Sequence, residues 1–181
     1  GTTPELVTAH AAALIRGLRR GGMASCGKHF PGHGSARADS HKGVTDISAT
    51  WGGRELSPYR SALGRPGRRM VMTGHLFHAG LDPSFPATLS PSVISGLLRG
   101  RLGYDGVVVT DDLQMDAVAA EYTLEEVVIR AIGAGADILL ANTFGANPRK
   151  LKGTGYTRHR RQGSGHHRPG GRKRNHFPCS A

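Results

Sequence analysis

The chain has 181 residues and a mass of 19.1 kDa, which suits a single domain, and 38% of its residues are hydrophobic, which is enough for a core. No apolar run reaches the roughly 18 residues that a membrane-spanning helix requires, so we expect no membrane span and no membrane partner. The formal charge is +11, but residues 149–181 contribute ten basic and no acidic side chains, whereas residues 1–148 hold 14 basic and 13 acidic ones.

The first predicted element is an amphipathic helix. Thr3 can cap it, Pro4 suits its first position, and apolar residues recur at helical spacing until the glycine pair 21–22. A short strand at residues 23–28 follows, in which we expect Cys26 to be a small core residue. A long polar loop then begins at His29 and continues to about Thr50.

The middle of the chain predicts a weak helix at residues 51–63 and a buried strand at 70–73, because the latter is a compact apolar run. Ser90 and Pro91 have the pattern of a helix start, and that helix is expected to end near Gly103.

The last ordered part opens with the clearest strand of the sequence, residues 106–110, which read GVVVT. Thr123 and Glu126 form a capping box that begins a helix, and the glycines of 133–135 end it. A final buried strand is predicted at 137–141.

Strand and helix patterns thus alternate about four times, with continuous apolar runs, and this indicates a parallel sheet covered by helices. Polar side chains follow the predicted strands at their carboxyl ends, namely Lys28, His29, His75, Asp111, Asp112 and Asn142. In (β/α)8 barrels, active sites are built at that end. Since a complete barrel takes about 250 residues and eight strands, we expect residues 1–148 to be about the second half of a TIM-type barrel cut from a longer protein; a smaller open α/β sheet is the alternative.

The basic segment 149–181 has Leu151 as its one aliphatic residue larger than alanine, so we expect it to be disordered. Three hypotheses explain its composition: an out-of-frame translation of a GC-rich gene, a plain disordered tail, or a nucleic-acid-binding arm whose cations pair with phosphates. Of these we favour the first, and we treat nucleic-acid binding through this segment as an alternative function.

The polar loop holds a carboxylate and an imidazole two positions apart. In an extended loop Asp39 and His41 project to the same side, so Asp39 can orient an imidazole that transfers protons near neutral pH. A solvated loop with no chemical role remains the alternative. His29, His33 and His41 could also suggest zinc, but no HExxH motif or cysteine pair accompanies them. We therefore expect neither a metal nor a cofactor.

A second acidic site follows the strand at 106–110. Asp111 comes directly after Thr110, and a carboxylate held at the end of a buried strand can act as nucleophile, metal ligand or general base. Asp112 points elsewhere and is better explained as a capping or supporting residue.

Six motifs occur in this order: KHFPGHG, DSH, MTGH, PATLSP, GVVVTDDLQM and GADILL. Together, over about residues 4–145, the sequence resembles bacterial family 3 glycoside hydrolases, in particular the cytoplasmic β-N-acetylglucosaminidases of cell-wall recycling. The most specific match is KHFPGHG followed by a histidine thirteen residues after its lysine.

The resemblance implies roles for individual residues. Asp111 corresponds to the nucleophile of a retaining mechanism, His41 to the general acid/base and Asp39 to its orienting partner. This differs from the usual pair of catalytic carboxyl groups about 5 Å apart. Lys28 and His29 correspond to sugar-binding residues.

His75 is expected to line the substrate site, because it follows a predicted strand, whereas His33 is expected to have a structural role in its loop. The implied substrates are small carbohydrates: N-acetylglucosaminyl-anhydromuramyl peptides or chitooligosaccharides. A phosphorylase of the same fold is an alternative activity. Cytoplasmic location agrees with Cys26 and Cys179, which do not form a disulfide framework. Because half of the barrel is missing, we expect this chain on its own to be poorly folded or inactive.

Overall fold

The computed structural model describes residues 3–38, 43–63 and 69–141. Some predicted features lie outside these ranges: Asp39, His41, Asn142 and the basic segment 149–181. Their roles, and the disorder expected of the basic segment, stay predictions.

The described residues form an α/β arrangement. Its strands are β1 (Ser25–Phe30), β2 (Thr45–Asp46), β3 (Arg69–Thr73), β4 (Leu76–Phe77) and β5 (Val107–Val109). Its α-helices are α1 (Pro4–Arg20), α2 (Asp116–Ala119) and α3 (Leu124–Ala134), joined by 3-10 turns at Gly53–Leu56 and Ala87–Leu89 and by π-helical segments at Tyr59–Leu63 and Ser92–Arg101. Within these ranges no helix has the combined length and hydropathy of a membrane-spanning segment.

The main sheet is parallel, with the strand order β1-β3-β5, and β2 pairs separately with β4. The predicted final strand, 137–141, is reduced to one bridge between Val109 and Ile138, although the Ile138 amide also donates to the Val108 carbonyl. Ile138 is 46% exposed and Leu140 40%, so this edge lacks the burial that sustains a longer strand. The chain therefore places four parallel segments side by side.

Helix Ser92–Arg101 packs its apolar side chains onto one face of the sheet. Ile94 and Leu98 contact a core that includes Phe30 of β1, Val71 of β3 and Val108 of β5, all fully or almost fully buried. Burying a side chain of this size contributes about 1.5–3 kcal/mol. The cluster therefore fixes the three strands relative to one another and sets where their carboxyl ends meet.

Local sequence signals explain the helix boundaries. The Thr3 hydroxyl accepts the Leu6 amide at the start of α1, as predicted. The capping box of α3 is present, with Glu126 bonded back to the Thr123 amide. Helix α3 ends at Ala134 and is capped by Gly135, whose φ of +108° favours glycine.

Several predicted boundaries are wrong. Strand β1 begins and ends two residues later than predicted, so His29 belongs to a strand and not to the polar loop. That loop also contains β2, whose pairing with β4 is a tertiary contact that a two-residue run cannot signal. The predicted helix 51–63 is broken into a 3-10 turn and a π-helical turn.

Cys26 is exposed, not a core residue. It pairs with Met70 on β3, next to Val71, which faces the helices. Because side chains alternate along a strand, Cys26 points to the opposite face of the sheet. On that face Val107 is 37% exposed as well, so this side of the sheet is open among the described residues.

Candidate active site

The carboxyl ends of β1, β3 and β5 bring together residues that are far apart in sequence. The Asp111 amide donates to the Thr73 carbonyl at 3.1 Å, and the Gly74 amide donates to the Phe30 carbonyl at 2.9 Å. These two backbone bonds link the three strand ends in series. The polar side chains that follow the strands therefore share one edge of the sheet, as the alternating pattern predicts.

His29 and Asp111 meet at this edge. The His29 Nε2 atom lies 3.6 Å from the Asp111 Oδ2 atom, and the two side chains are 26% and 15% exposed. Burial lowers the pKa of His29 below its usual value, and the Asp111 carboxylate opposes this by raising it. The imidazole is thus favoured in its neutral form beside an accessible carboxylate.

Each oxygen of Asp111 has a different environment. Oδ1 accepts the Asp112 amide at 2.9 Å, while Oδ2 faces His29. The Asp112 side chain accepts the Gln114 amide at 2.9 Å and so closes a local turn. It does not cap α2, because the N-cap position of that helix is Met115, so the predicted capping role is wrong. One oxygen of Asp111 is therefore held by its own turn and the other is available for chemistry.

His75 lies directly behind this turn. It is fully buried, and its Nε2 atom donates to the Asp112 carbonyl at 2.9 Å. Its Nδ1 atom has no hydrogen-bond partner among the described residues. Burial lowers the pKa of His75, which favours the neutral imidazole. In this arrangement His75 supports the turn that carries Asp111 and offers no exposed surface to a substrate.

Lys28 is exposed and occupies a different position. The register of β1 against β3 shifts between Gly27 and Phe30, and the Lys28–His29 peptide bond is cis. Lys28 lines a cavity of about 570 Å³ between α1 and the loop that follows β1, whereas Asp111 does not. Its positive charge still lowers the pKa of the neighbouring His29.

The loop after β1 is held by two residues that the sequence analysis did not single out. The Trp51 indole donates to the Pro31 carbonyl at 3.1 Å. The Glu55 carboxylate accepts the Gly34 amide at 3.2 Å and the Ser35 hydroxyl. Nothing in the local pattern of residues 51–63 marks these two side chains, because their partners lie some twenty positions earlier.

A metal centre has no ligand set in this part of the chain. Among residues 3–38, 43–63 and 69–141, no three His, Cys, Asp or Glu side chains are gathered closely enough to bind one ion. The rings of His29 and His33 do approach each other, with centroids 5.9 Å apart, but the third member of the zinc hypothesis, His41, is outside the described residues.

Comparison with known proteins adds an independent observation. Residues 1–152 match the model of the glycosyl hydrolase family 3 N terminal domain. The chain belongs to glycoside hydrolase family 3. A beta-hexosaminidase of Chromobacterium violaceum is 41% identical over 140 residues, and beta-hexosaminidase LpqI of Mycobacterium tuberculosis is 42% identical over 148.

A solved structure agrees. The family 3 β-N-acetylglucosaminidase of Paenibacillus sp. strain FPU-7 is 44% identical, superposes with a TM-score of 0.73, and covers 78% of this chain but 27% of its own. The matches to the Chromobacterium and Mycobacterium relatives cover 76% and 77% of this chain. This family 3 chain spans about two fifths of the length of those relatives, 39% and 38% respectively.

The family assignment fits the observed fold. The family 3 N-terminal domain is a TIM-barrel-like α/β fold, and the parallel order β1-β3-β5 with its helices on one face is a part of such a barrel. The resemblance stated from the sequence motifs is therefore confirmed at the level of the family and of the α/β class.

Proposed function

We propose that this chain carries the part of a retaining β-N-acetylhexosaminidase that supplies the nucleophile, Asp111, and that the complete catalytic domain releases terminal non-reducing N-acetyl-β-glucosamine. One observation carries the proposal. The Asp111 carboxylate follows the buried strand β5, has one oxygen fixed by the Asp112 amide and presents the other toward His29 at 3.6 Å. The names of the beta-hexosaminidase relatives support the hexosamine substrate class.

The geometry suits covalent catalysis. An ionised Asp111 attacks the anomeric carbon, and the bond from that carbon to the leaving sugar oxygen breaks as the oxygen takes a proton. His41, oriented by Asp39, is the proposed donor of that proton and the proposed base that later activates water. The fixed Oδ1 atom limits rotation of the carboxylate, so less entropy is lost in reaching the attacking geometry.

His29 and Lys28 have binding roles in this proposal. A neutral His29 can hydrogen-bond a sugar hydroxyl without placing a second full charge beside Asp111. Lys28 is exposed and lines the cavity beside α1, which Asp111 does not line, so its sugar-binding role is proposed from the motif resemblance alone. His75 acts from behind, through its bond to the Asp112 carbonyl.

We further propose small cell-wall fragments as substrates and the cytoplasm as the location. Both follow from the motif resemblance. The catalytic role of Asp111 can be tested independently of either.

The decisive experiment is a chimera in which residues 4–141 of this chain replace the matched segment of the Chromobacterium relative. Turnover of 4-nitrophenyl N-acetyl-β-glucosaminide is measured first. The chimera is then treated with a 5-fluoro N-acetylglucosaminyl fluoride, which slows breakdown of the glycosyl-enzyme. Trypsin should release residues 102–130 as one peptide, since Arg101 and Arg130 flank it, and fragmentation should place the sugar on Asp111.

The matched control is Asp112→Asn, which removes the adjacent carboxylate and leaves that of Asp111 in place. Asp111→Asn should remove the label and lower kcat by about a thousandfold or more, whereas Asp112→Asn should keep the label on position 111. An active chimera that is labelled at another residue, or that keeps its turnover after Asp111→Asn, would refute the proposal.

A further inference from the structure

Glu55 makes contacts that its place in the sequence does not explain. It lies in the 3-10 turn Gly53–Leu56, and the next residue, Leu56, is 4% exposed and packs in the core with Phe30 and Val71. The backbone of Glu55 is held in place, because the adjacent Leu56 packs in the same core cluster as the strands.

The Glu55 carboxylate reaches across to the loop that follows β1. Oε2 accepts the Gly34 amide at 3.2 Å, and the Ser35 hydroxyl donates to Oε1. Hydrogen bonds to a charged acceptor are about twice as strong as neutral ones. Both carboxylate oxygens are therefore used on two successive residues of the loop.

Gly32 shows how closely the two pieces fit. A Cβ added at Gly32 would lie 2.5 Å from Glu55 Oε2 and 2.8 Å from Glu55 Cβ. Its φ of +135° also favours glycine. The backbone of Gly32 thus lies directly against the Glu55 side chain.

His29 lies just before this loop, as the last but one residue of β1. The Gly32 amide donates to the His29 carbonyl at 2.9 Å, closing a turn. The His29 imidazole leaves this turn toward Asp111. The contacts of Glu55 with Gly32, Gly34 and Ser35 are therefore one short turn away from the imidazole that faces the nucleophile.

We infer that Glu55 is a positioning residue: through Gly32, Gly34 and Ser35 its carboxylate fixes the turn that holds the His29 imidazole against Asp111. This inference rests on the proposed function for its biological meaning. The coupling between the His29 and Asp111 side chains, however, can be measured without turnover. Glu55 does not touch the reacting atoms, and its effect on the reaction passes through His29.

The test uses the full 181-residue chain and NMR titration of imidazole-labelled histidines. Asp111 raises the pKa of His29, whereas burial and the charges of Lys28, His33 and His75 lower it. Asp111→Asn should therefore lower the pKa of His29 in the wild-type chain. In a chain that already carries Glu55→Ala, Asp111→Asn should lower the pKa of His29 much less, because the imidazole is no longer held close to position 111.

Hydrogen exchange provides the second readout. Glu55→Ala should make the Gly34 amide exchange about tenfold faster, as expected for losing a bond to a charged acceptor. Amides of β3 and β5 should keep their protection. Glu55→Gln, which keeps one side-chain carbonyl acceptor, should recover part of the coupling, and it decides the matter if Glu55→Ala does not fold.

The matched control is Glu125→Gln, an exposed glutamate on α3. It should leave the coupling and the Gly34 exchange unchanged. The inference is overturned if the coupling between His29 and Asp111 is undiminished in both Glu55 variants. It is also overturned if both variants lose exchange protection throughout β3 and β5, because Glu55 would then stabilise the whole fold. Failure of Asp111 to take a glycosyl label would instead affect only the proposed function.

Discussion

His75 donates its Nε2–H to the Asp112 carbonyl at 2.9 Å, and this bond joins the residues after β3 to the turn that carries Asp111. Burial lowers the pKa of both His75 and His29. In the unfolded chain an imidazole takes up a proton near pH about 6.5, whereas the folded chain resists it. The unfolding free energy should therefore be highest above that pH, where both states are neutral, and should decrease as the pH falls below it.

Urea denaturation at pH 7.5 and at pH 5.5 measures this dependence. His75→Gln keeps a donor for the Asp112 carbonyl and removes the titrating group, so it should flatten the pH profile. His10→Gln, at an exposed position of α1, should leave the slope unchanged. An equal slope in all three chains contradicts the prediction.

Arg99 connects the π-helical segment to the residue before β5 and to the segment that follows α3. It donates to the Gly106 carbonyl at 3.2 Å, to the Gly135 carbonyl at 3.1 Å and to Asp137 at 2.7 Å. The same Asp137 oxygen accepts the Val108 amide at 2.7 Å. We expect Arg99→Ala to lower the unfolding free energy by about 1–3 kcal/mol, because two backbone carbonyls and a carboxylate lose their donor.

The measurement is the urea midpoint at constant m-value. Arg101→Ala, an exposed arginine of the same segment, should change the unfolding free energy by less than about 0.5 kcal/mol. If Arg99→Ala and Arg101→Ala lower the unfolding free energy equally, the hydrogen bonds of Arg99 do not contribute specifically to stability.

Gly106 leaves room for the hydroxyl of Tyr104. A Cβ at Gly106 would lie 2.5 Å from that oxygen, which donates toward the Arg69 and Val107 carbonyls at 3.0 and 3.2 Å. Gly106→Ala should therefore cost about 1–3 kcal/mol through overpacking. Tyr104→Phe removes the nearest colliding atom, the hydroxyl, but keeps the ring carbon Cζ, which would lie 2.7 Å from the added Cβ. The double variant should therefore lose somewhat less than the sum of the two single losses. Strict additivity would show that the contact with the Tyr104 hydroxyl is not the cause.

The 181-residue chain alone should hydrolyse 4-nitrophenyl N-acetyl-β-glucosaminide at the background rate. It spans about two fifths of its curated relatives, and apolar side chains such as Ile129 and Ile132 of α3 are 62% and 58% exposed. Turnover that disappears with Asp111→Asn would contradict this expectation and would still support the role of Asp111.

Residues 149–181 allow a separate prediction. We expect the full chain to shift duplex DNA weakly and in a strongly salt-dependent way, because ten basic side chains lie in this segment, and the chain truncated after residue 148 to give no shift. Electrophoretic mobility at two salt concentrations tests this. Sequence-selective binding that survives high salt would instead favour the nucleic-acid alternative.

The sequence predicted much of the architecture because some signals are local. Thr3 with Pro4 and Thr123 with Glu126 place the starts of α1 and α3 within one turn of chain. The apolar runs before Thr73 and Asp111 mark the parallel strands β3 and β5, although one face of this sheet is open among the described residues. The family also follows from short motifs and their spacing, and these can be recognised without a folded structure.

Tertiary structure decided what depends on contacts between distant segments. Only packing showed that His29 belongs to β1 and meets Asp111, that His75 is buried behind the Asp112 carbonyl, and that Cys26 faces an open side of the sheet. The role of Glu55 has the same origin, because its partners lie some twenty residues earlier and no periodicity links them. A linear pattern records which residues can be buried or charged, whereas the distances between side chains are set when the sheet and its helices pack.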